Sequence, residues 1–218
     1  MSWDNLDNLQ WGDNATTEDN IEIVTSPKTT EKTAKRRTTA CVTHSERYLY
    51  RRAYSETSLL DAMGIEELRQ GDCWHFITAG DVDSLSYLKV MLRHQNINHL
   101  LVSTWCMAAE DILQFDEWIE QGKIKKIDFY VGEIFPNSYR VEYRMLNELI
   151  EKHKCGRIAV FRNHSKVYAG EGEKYKFAIE TSANINTNPR TEQGVMTIND
   201  DIYHFYKDYF DKIKSFEQ

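Results

Sequence analysis

Residues 161–195 read FRNHSKVYAGEGEKYKFAIETSANINTNPRTEQGV, and this stretch contains the pattern that most constrains the fold. Two short segments, 165–168 and 175–181, the second of which has apolar residues at alternate positions, lie on either side of the glycine-containing residues 170–172. Alternation with a period of two is typical of strands with one buried face, and glycines between two such segments favour a turn. The stretch therefore predicts an antiparallel hairpin.

Five polar side chains in and after this predicted hairpin are spaced so that they are expected to lie near one end of it. His164 and Lys166 are two residues apart at its start, and residues two apart in a strand share a face. Ser182 and Asn184 follow the second segment, and Glu192 comes shortly after them. If the two strands are neighbours, an imidazole, an ammonium, a hydroxyl and a carboxamide converge, with the carboxylate within reach of the imidazole.

These are the residue types that cleavage of a phosphodiester needs. A histidine nitrogen attacks phosphorus in line, while the ammonium of Lys166 and the amide of Asn184 stabilise the non-bridging oxygens. A carboxylate such as Glu192 holds the imidazole in its reactive tautomer. Because the lysine supplies the fixed positive charge, we expect neither a metal ion nor another cofactor.

At these positions the sequence resembles the phospholipase D superfamily, whose motif reads HxKxxxxD, then GSxN, then a glutamate before a strand and a closing helix. By the order of its elements, the resemblance extends from about Asp72 to the C-terminus. It implies the catalytic residues His164, Lys166, Asn184 and Glu192, with Ser182, Glu171 and Arg190 binding phosphate or supporting the site.

Three positions depart from the pattern of the superfamily. Glu171 replaces the motif's aspartate but keeps its charge, and in the superfamily that residue mostly buttresses the hairpin. Thr181 replaces the glycine before Ser182, and Arg190 stands where related nucleases tend to carry asparagine. The alternative without a catalytic site is that HxK occurs by chance and that the residues after 181 form only an asparagine-rich turn.

The resemblance implies a metal-independent phosphodiesterase that acts on DNA or RNA through a phosphohistidine on His164. Members of the superfamily use two histidines, whereas this chain holds one HxK, so we expect a homodimer with two His164 side chains across one phosphate. One alternative is a catalytically weak or inactive nucleic-acid-binding module with the same fold. A phospholipid phosphodiesterase is less favoured, since no amphipathic helix with a basic polar face is visible.

The composition is that of a soluble globular chain. It has 218 residues, 41% of them hydrophobic, and a formal net charge of -7, which argues against coating nucleic acid by charge alone. No apolar run approaches the roughly 18 residues of a membrane span, and no signal-peptide pattern is present. The four cysteines are scattered without zinc-finger spacing. We therefore expect a cytoplasmic protein that binds neither a membrane nor zinc.

Residues 1–55 are predicted to form a largely disordered extension ahead of a phospholipase D-like domain at 56–218. The charged residues of 1–26 are all acidic, and acidic segments with few large apolar residues usually stay disordered. Basic residues follow, with tyrosines beside arginines, and this composition suits contacts with phosphates and bases, although a solvated linker is the alternative. The candidate nucleic-acid-binding residues are Arg36, Arg37, Arg47, Arg51 and Arg52.

The domain itself is predicted to be α/β, with a mixed, mostly parallel sheet flanked by helices on both faces. Its first half alternates strands with helical patterns, which is typical of parallel strands covered by helices. The predicted strands are 73–79, 98–104, 124–131, 158–161, 165–168, 175–181 and 195–198, and the helical patterns are 82–92, 108–121 and 141–150.

Two groups of aromatic residues complete the prediction. Trp105, Phe135 and Tyr139 follow predicted strand ends, where an α/β fold gathers its ligands, so they either line the pocket or pack beneath it. A closing helix carries an apolar stripe that is predicted to face the core. The stripe consists of Ile202, Phe205, Tyr206, Tyr209, Phe210 and Ile213.

Overall fold

A computed structural model describes residues 57, 59–61, 68–80, 82–186 and 190–216. The predicted extension 1–55 and its five candidate arginines lie outside these residues. The elements of the domain are, in chain order, β1 Cys73–Thr78, α1 Ser84–His94, β2 Ile97–Thr104, α2 Ala109–Glu120, β3 Ile127–Gly132, α3 Phe135–Ser138, α4 Arg140–His153, β4 Gly156–Phe161, β5 Val167–Gly172, β6 Lys176–Thr181, β7 Glu192–Ile198 and α5 Asp200–Phe210.

The strands form one seven-stranded sheet with the order β1-β7-β6-β5-β2-β3-β4. Strands β2, β3 and β4 pair in parallel, and every other neighbouring pair is antiparallel. Following these pairings across the sheet, β5 and β7 run one way and the other five strands run the opposite way. The predicted mixed and mostly parallel sheet is therefore confirmed.

Helices cover both faces of the sheet, as predicted. On β2, Leu100 and Val102 join a core cluster with buried residues of α1, α2 and α4. The residue between them, Leu101, joins a second cluster with Tyr203 and Phe210 of α5. Successive residues of a strand point to opposite faces, so the near-continuous apolar sequence of β2 follows from its burial on both sides.

Side chains just before two helices fix where those helices begin. Asp83 accepts a hydrogen bond of 3.0 Å from the backbone N–H of Leu85 at the start of α1. Asn199 accepts bonds of 2.7 and 3.3 Å from the N–H groups of Asp201 and Ile202 at the start of α5. Each side chain satisfies backbone donors that the first helical turn leaves without an acceptor.

The predicted hairpin is present as β5 and β6, but its turn lies later than predicted. Strand β5 runs to Gly172, so residues 170–172 belong to the strand. Gly170 is needed there for close packing, because a Cβ on it would lie 2.4 Å from the ring of Phe177 on β6. The turn is instead stabilised by Gln95, whose Oε1 accepts bonds of 2.9 and 2.8 Å from the N–H groups of Lys174 and Tyr175.

The closing helix α5 is buried along only part of the predicted stripe. Phe210 is 2% exposed and Tyr203, outside the predicted stripe, is fully buried. Phe205 and Tyr209 are 64% and 55% exposed, so their prediction as core residues is wrong. A helix on the surface of a sheet buries one face, and the six predicted residues span a wider arc than that face. Within the described residues, no helix is long and apolar enough to cross a membrane.

Candidate active site

The loop between β4 and β5 carries His164, and Asn163 fixes this loop to the sheet. Asn163 is 5% exposed. Its Nδ2 donates hydrogen bonds of 3.0 Å to Ser103 Oγ and 2.8 Å to the backbone oxygen of Tyr130. Its Oδ1 accepts a bond of 3.0 Å from the backbone N–H of Ser165. The exposed His164 is thus placed between two anchored residues.

Trp105, immediately after β2, packs against the imidazole of His164. The two ring centroids are 5.4 Å apart and the ring planes meet at 61°, an edge-to-face arrangement that aromatic rings favour. Trp105 reaches this position because residue 132, at the end of β3, is glycine. A Cβ on Gly132 would lie 2.5 Å from Trp105 Cδ1 and 3.1 Å from the backbone oxygen of Asn163.

Lys166 lies directly beside His164. Its Nζ donates a hydrogen bond of 2.7 Å to the backbone oxygen of His164, and it is 3.2 Å from Nδ1 and 3.4 Å from Nε2 of the ring. Burial lowers the pKa of the Lys166 ammonium below its ordinary value of 10.5, although Cys106 and Glu192 act in the opposite direction. The structure therefore brings the two residues of the HxK pattern together and places a carboxylate near the ammonium.

Ser182 and Glu192 are also brought together, at the end of β6 and the start of β7. The Ser182 hydroxyl donates a short hydrogen bond to Glu192 Oε2. The same hydroxyl accepts a bond of 3.0 Å from the backbone N–H of Gln193, and the Ser182 N–H donates one of 3.0 Å to the Gln193 carbonyl. The carboxylate is thus held by the serine, and its predicted bond to the imidazole of His164 stays a prediction.

Asn184 lies in the segment that follows Ser182 and docks on the loop after β2. The backbone N–H of Ile185 donates a bond of 3.3 Å to Thr104 Oγ1, and the N–H of Ala108 donates one of 2.8 Å to the Ile185 carbonyl. Asn184 Oδ1 is buried and has no hydrogen-bond partner among the described residues. A buried acceptor of this kind needs a partner, so the carboxamide retains bonding capacity at this point.

Thr181, which departs from the motif's glycine, is accommodated without disturbing the backbone. Its hydroxyl donates a bond of 3.0 Å to the Gln193 carbonyl and accepts one of 3.1 Å from the N–H of Ala183. Both bonds support the turn into Ser182. The substitution therefore adds contacts between β6 and β7 beside the site.

Glu171 lies at the far end of β5 and is not part of this cluster. It is four residues beyond Val167, or about 13 Å along a strand. Its Oε2 accepts a bond of 3.4 Å from the Tyr203 hydroxyl, and burial together with this carboxylate raises the pKa of Tyr203. The same hydroxyl is 3.5 Å from His99 Nδ1, whose Nε2 is 2.8 Å from Asp128. Glu171 thus belongs to a polar network under α5.

Arg190 and a cluster of possible metal ligands lie outside the contacts described so far. Arg190 is exposed two residues before β7. Asp116, Glu120 and His153, on α2 and α4, bring their ligand atoms within 4.8 Å of one another, but Lys152 Nζ lies 3.0 and 2.6 Å from the two carboxylates. The lysine occupies the position that a metal cation would take, and the cluster lies on α2 and α4, whereas His164 lies in the loop between β4 and β5.

Sequence reasoning did not identify two residues that shape the site. Asn163 was missed because a single asparagine after a strand is typical of many turns, although its place directly before HxK was a usable signal. Cys106 is one of the four scattered cysteines, for which the sequence predicts only reduced, mostly buried thiols. It is 2% exposed beside the site, and burial raises the pKa of its thiol despite a hydrogen bond with Tyr139.

Comparison with known proteins finds similarity among solved structures. No protein-family model matches the sequence, and no curated protein matches it. The solved structure of polyphosphate kinase from Porphyromonas gingivalis is similar, with a TM-score of 0.51 and 12% identity over 65% of this chain and 26% of the kinase. At this identity the likeness concerns the fold, and it agrees with the phospholipase D-like α/β fold expected from the sequence. The chain thus spans about a quarter of the kinase.

Two further solved structures show a weaker similarity. NucT from Helicobacter pylori has a TM-score of 0.49 and 15% identity over 65% of this chain and 96% of NucT. Phosphatidylserine synthase from Haemophilus influenzae Rd KW20 has a TM-score of 0.47 and 13% identity over 64% of this chain and 37% of the synthase. At these identities the likeness concerns the fold alone.

Most of the candidate residues, Glu171 excepted, collect at one edge of the sheet. Strands β2, β3, β4 and β6 run in the same direction, so the segments after them meet at their carboxyl ends. Trp105, Gly132, the loop 162–166 and Ser182 all lie there, at the edge where α/β folds bind their ligands. An imidazole beside an ammonium, with a hydroxyl and a carboxylate close by, is suited to bind and attack an anionic phosphorus centre.

Proposed function

We propose that this protein is a metal-independent phosphodiesterase that cleaves nucleic acid through a phosphohistidine on His164. The observation that carries the proposal is the contact of Lys166 Nζ with the imidazole, at 3.2 Å from Nδ1. An ammonium in that position neutralises a non-bridging oxygen of a phosphodiester while the ring nitrogen faces phosphorus. A phosphate bound there needs no divalent cation to offset its charge.

The reaction proceeds in two displacements. The lone pair of a His164 nitrogen forms a bond to phosphorus, and the bond from phosphorus to the leaving oxygen breaks with its electron pair on that oxygen. A second imidazole donates the proton that the leaving alkoxide needs. Water then attacks the phosphohistidine, loses a proton to the second imidazole, and restores His164 with release of the phosphate monoester.

The second imidazole belongs to a partner copy of the chain in this proposal. The sequence contains one HxK, and a two-fold axis beside His164 brings the same residue from both subunits to one phosphate. The exposure of His164 supports this arrangement, because a residue shared by two subunits must lie on the surface of each. Mixing wild-type chains with His164→Ala chains should give heterodimers with little or no activity. Cleavage by monomeric protein would contradict the dimer.

Nucleic acid is the proposed substrate because of the basic segment ahead of the domain. Arg47, Arg51 and Arg52 lie close to tyrosines there, and arginine with aromatic side chains binds both the phosphates and the bases of a strand. Residues 190–192 add a cation, Arg190, next to Glu192. DNA and RNA both present this chemistry.

The decisive experiment is a nuclease assay in EDTA with the wild-type chain, His164→Ala and a matched histidine control. His204→Ala is the control, because His204 is an exposed histidine on α5 that contacts Lys176 rather than the site. We expect full activity for the wild type and the control in EDTA and a loss of at least a hundredfold for His164→Ala. Activity that survives in His164→Ala, or that disappears in EDTA, would refute the proposal. Cleavage of phospholipid vesicles but not of nucleic acid would instead support the lipid alternative.

A further inference from the structure

The last two residues of β2, Ser103 and Thr104, carry buried hydroxyls to which the proposed chemistry gives no role. Ser103 is 1% exposed and Thr104 is fully buried. A buried hydroxyl destabilises the fold unless it forms hydrogen bonds. Both hydroxyls form such bonds with parts of the candidate active site that lie 60 or more residues away in the sequence.

The hydroxyl of Ser103 completes a ring of three hydrogen bonds with the residues on either side of His164. Asn163 Nδ2 donates to Ser103 Oγ at 3.0 Å, and Ser165 Oγ donates to Asn163 Oδ1 at 2.7 Å. The third bond joins the hydroxyl oxygens of Ser103 and Ser165 at 2.7 Å. Because Ser165 already donates its one hydroxyl proton to Asn163, Ser103 is the donor in this bond. The three donors therefore point the same way round the ring, and such bonds polarise and strengthen one another.

This ring begins where the backbone ladder between β2 and β5 ends. The last pair of that ladder is Ser103 with Val167, so the ladder does not reach His164. The ring ties both sequence neighbours of His164 to β2 instead. Lys166 is held separately, because its backbone oxygen accepts a bond of 3.1 Å from the N–H of Thr181 on β6. The ring thus determines the position of His164 rather than that of Lys166.

The hydroxyl of Thr104 holds a different part of the site. It donates a bond of 2.7 Å to the backbone oxygen of Cys106 and accepts one of 3.3 Å from the N–H of Ile185. Met107 and Ile185 form a parallel bridge beside this bond. Asn184 directly precedes Ile185, so the segment that carries the expected ligand of a non-bridging oxygen is fixed to β2 through Thr104.

Ser103 and Thr104 reach these two parts because they are consecutive residues of a strand. Consecutive side chains of a strand point to opposite faces of the sheet. Leu101 packs in the cluster under α5, and Val102 packs with residues of α1 and α2. By alternation, Ser103 lies on the face covered by α5 and Thr104 on the face covered by α1. Each face thus has one hydroxyl at the edge of the sheet where most of the candidate residues collect.

We infer that Ser103 and Thr104 are positioning residues of the proposed phosphodiesterase, with separate tasks. Ser103 fixes the loop that presents the imidazole of His164 to phosphorus. Thr104 fixes the segment that presents Asn184 to the non-bridging oxygens. The inference rests on the proposed function and adds to it two residues outside the HxK motif and its companions. Neither hydroxyl is a catalytic group, since each acts through the residues that it holds.

Separate tasks predict separate kinetic effects. Loss of the Ser103 hydroxyl displaces the nucleophile but leaves the groups that bind phosphate in place, so kcat falls while KM stays nearly constant. A displacement of about 1 Å at a reacting group costs up to a hundredfold in rate. Loss of the Thr104 hydroxyl loosens Asn184, which weakens phosphate binding in the ground state and the transition state alike, so KM rises.

The test of Ser103 is steady-state kinetics with the diester bis(p-nitrophenyl) phosphate in EDTA, on full-length chains at a temperature where circular dichroism shows each to be folded. We expect Ser103→Ala to lower kcat roughly tenfold to a hundredfold with KM within about twofold of the wild type. Ser165→Ala breaks the same ring at an exposed residue, so it should give the same result even if Ser103→Ala folds poorly. The double variant should lose no more than either single variant.

Thr104 is tested by two substitutions that separate its hydroxyl from its methyl group. Thr104→Val keeps the shape of the side chain and removes the hydroxyl, whereas Thr104→Ser keeps the hydroxyl and removes the methyl group. We expect Thr104→Val to raise KM, and the Kd of inorganic phosphate in isothermal titration calorimetry, roughly tenfold. Thr104→Ser should stay within about twofold of the wild type. Equal effects of the two substitutions would assign the role to packing and overturn the inference for Thr104.

Gln95→Ala is the control for a loss of stability alone. Gln95 is also buried and also holds a loop, but that loop is the hairpin turn at the other end of β5, which it binds with bonds of 2.9 and 2.8 Å. We expect Gln95→Ala to lower the Tm without changing kcat or KM. A fall in kcat as large as that of Ser103→Ala would overturn the inference for Ser103, as would wild-type kcat in both Ser103→Ala and Ser165→Ala.

The outcomes also distinguish this inference from the proposed chemistry. If the wild type cleaves the diester and neither Ser103→Ala nor Thr104→Val differs from Gln95→Ala, the positioning roles fail and the phosphodiesterase stands. If the wild type cleaves nothing but binds inorganic phosphate, and Thr104→Val alone weakens that binding, the phosphodiesterase and the role of Ser103 fail while the role of Thr104 stands. A wild type that neither cleaves the diester nor binds phosphate would overturn both.

Discussion

Replacing Gly132 by alanine (Gly132→Ala) would put a methyl group where Trp105 now lies. The new Cβ would be 2.5 Å from Trp105 Cδ1, 3.0 Å from the Trp105 carbonyl oxygen and 3.1 Å from the Asn163 carbonyl oxygen. Carbon atoms in contact are about 3.5 to 4.0 Å apart, so the indole must move by about 1 Å. Because Trp105 packs on the imidazole of His164, the proposed nucleophile is expected to move with it.

The expected cost has a stability part and a catalytic part. Overpacking a well-packed position costs about 1 to 3 kcal/mol, and about 2 kcal/mol lowers the Tm of a domain of this size by roughly 4 to 8 °C. A displacement of about 1 Å at a reacting group costs up to a hundredfold in rate. We therefore expect Gly132→Ala to melt several degrees lower and to lose about one to two orders of magnitude in kcat/KM at a temperature where it is fully folded.

Gly170→Ala is the matched control. Its Cβ would lie 2.4 Å from the Phe177 ring, a clash of similar size between β5 and β6 in the core. We expect a similar loss of Tm with kcat/KM per folded molecule close to that of the wild type. In the double variant Trp105→Ala/Gly132→Ala the side-chain clash is absent, so the two stability effects should not add. Wild-type kcat/KM in Gly132→Ala, or an equal loss in Gly170→Ala, would refute the reasoning.

Three other perturbations follow from the same structure. Asn163→Ala removes the amide that donates to Ser103 Oγ and the Tyr130 carbonyl and that accepts from the Ser165 N–H. We therefore expect a loss of about 2 to 4 kcal/mol in the free energy of urea unfolding. A stability close to that of the wild type would argue against that role. In a pH-rate profile, Lys166→Arg should extend activity to higher pH. The lowered pKa of Lys166 lets its ammonium lose the proton below the ordinary value of 10.5, whereas arginine keeps its charge. A decline of activity at the same alkaline pH in both proteins would contradict this prediction. Burial raises the pKa of Asp128, but the hydrogen bond from His99 and nearby cations outweigh burial and lower it below 3.8. A carboxyl whose pKa is lower in the folded than in the unfolded chain stabilises the fold at pH values above its unfolded pKa, and this stabilisation is lost as the pH falls through the folded pKa. Asp128→Asn should therefore flatten the fall in stability below about pH 4. An identical dependence of stability on pH in both proteins would exclude Asp128 as its source.

The strands and helices of the domain could be predicted because burial leaves a periodic trace in the sequence. The alternation in 175–181 and the continuous apolar run in β2 both follow from which faces are covered. The glycines of 170–172 led to a wrong position for the hairpin turn, because glycine occurs both in turns and where packed elements approach closely. Only the position of the Phe177 ring over Gly170 distinguishes the two.

The candidate site was predictable in its residues and less so in its geometry. The spacing of His164 and Lys166 indicated a contact, and they are in contact. Long-range partners were out of reach, since the bond of Asn163 to Ser103 joins residues 60 apart in sequence. The exposure of Phe205 and Tyr209 was equally hidden, because a helical stripe does not reveal how much of its arc the sheet covers.

The pairing of β1 with β7 has a consequence for how the chain folds. Cys73 on β1 contacts Thr197 on β7 across 124 residues of sequence, and among the described strands β7 alone pairs with β1. During synthesis β1 therefore emerges long before the strand that pairs with it. Contacts between distant residues slow folding because the loop between them must first be closed. The first strand of the domain is thus expected to be the last to join the sheet, and its exposed edge is the part of the nascent chain most open to wrong pairing and to chaperones.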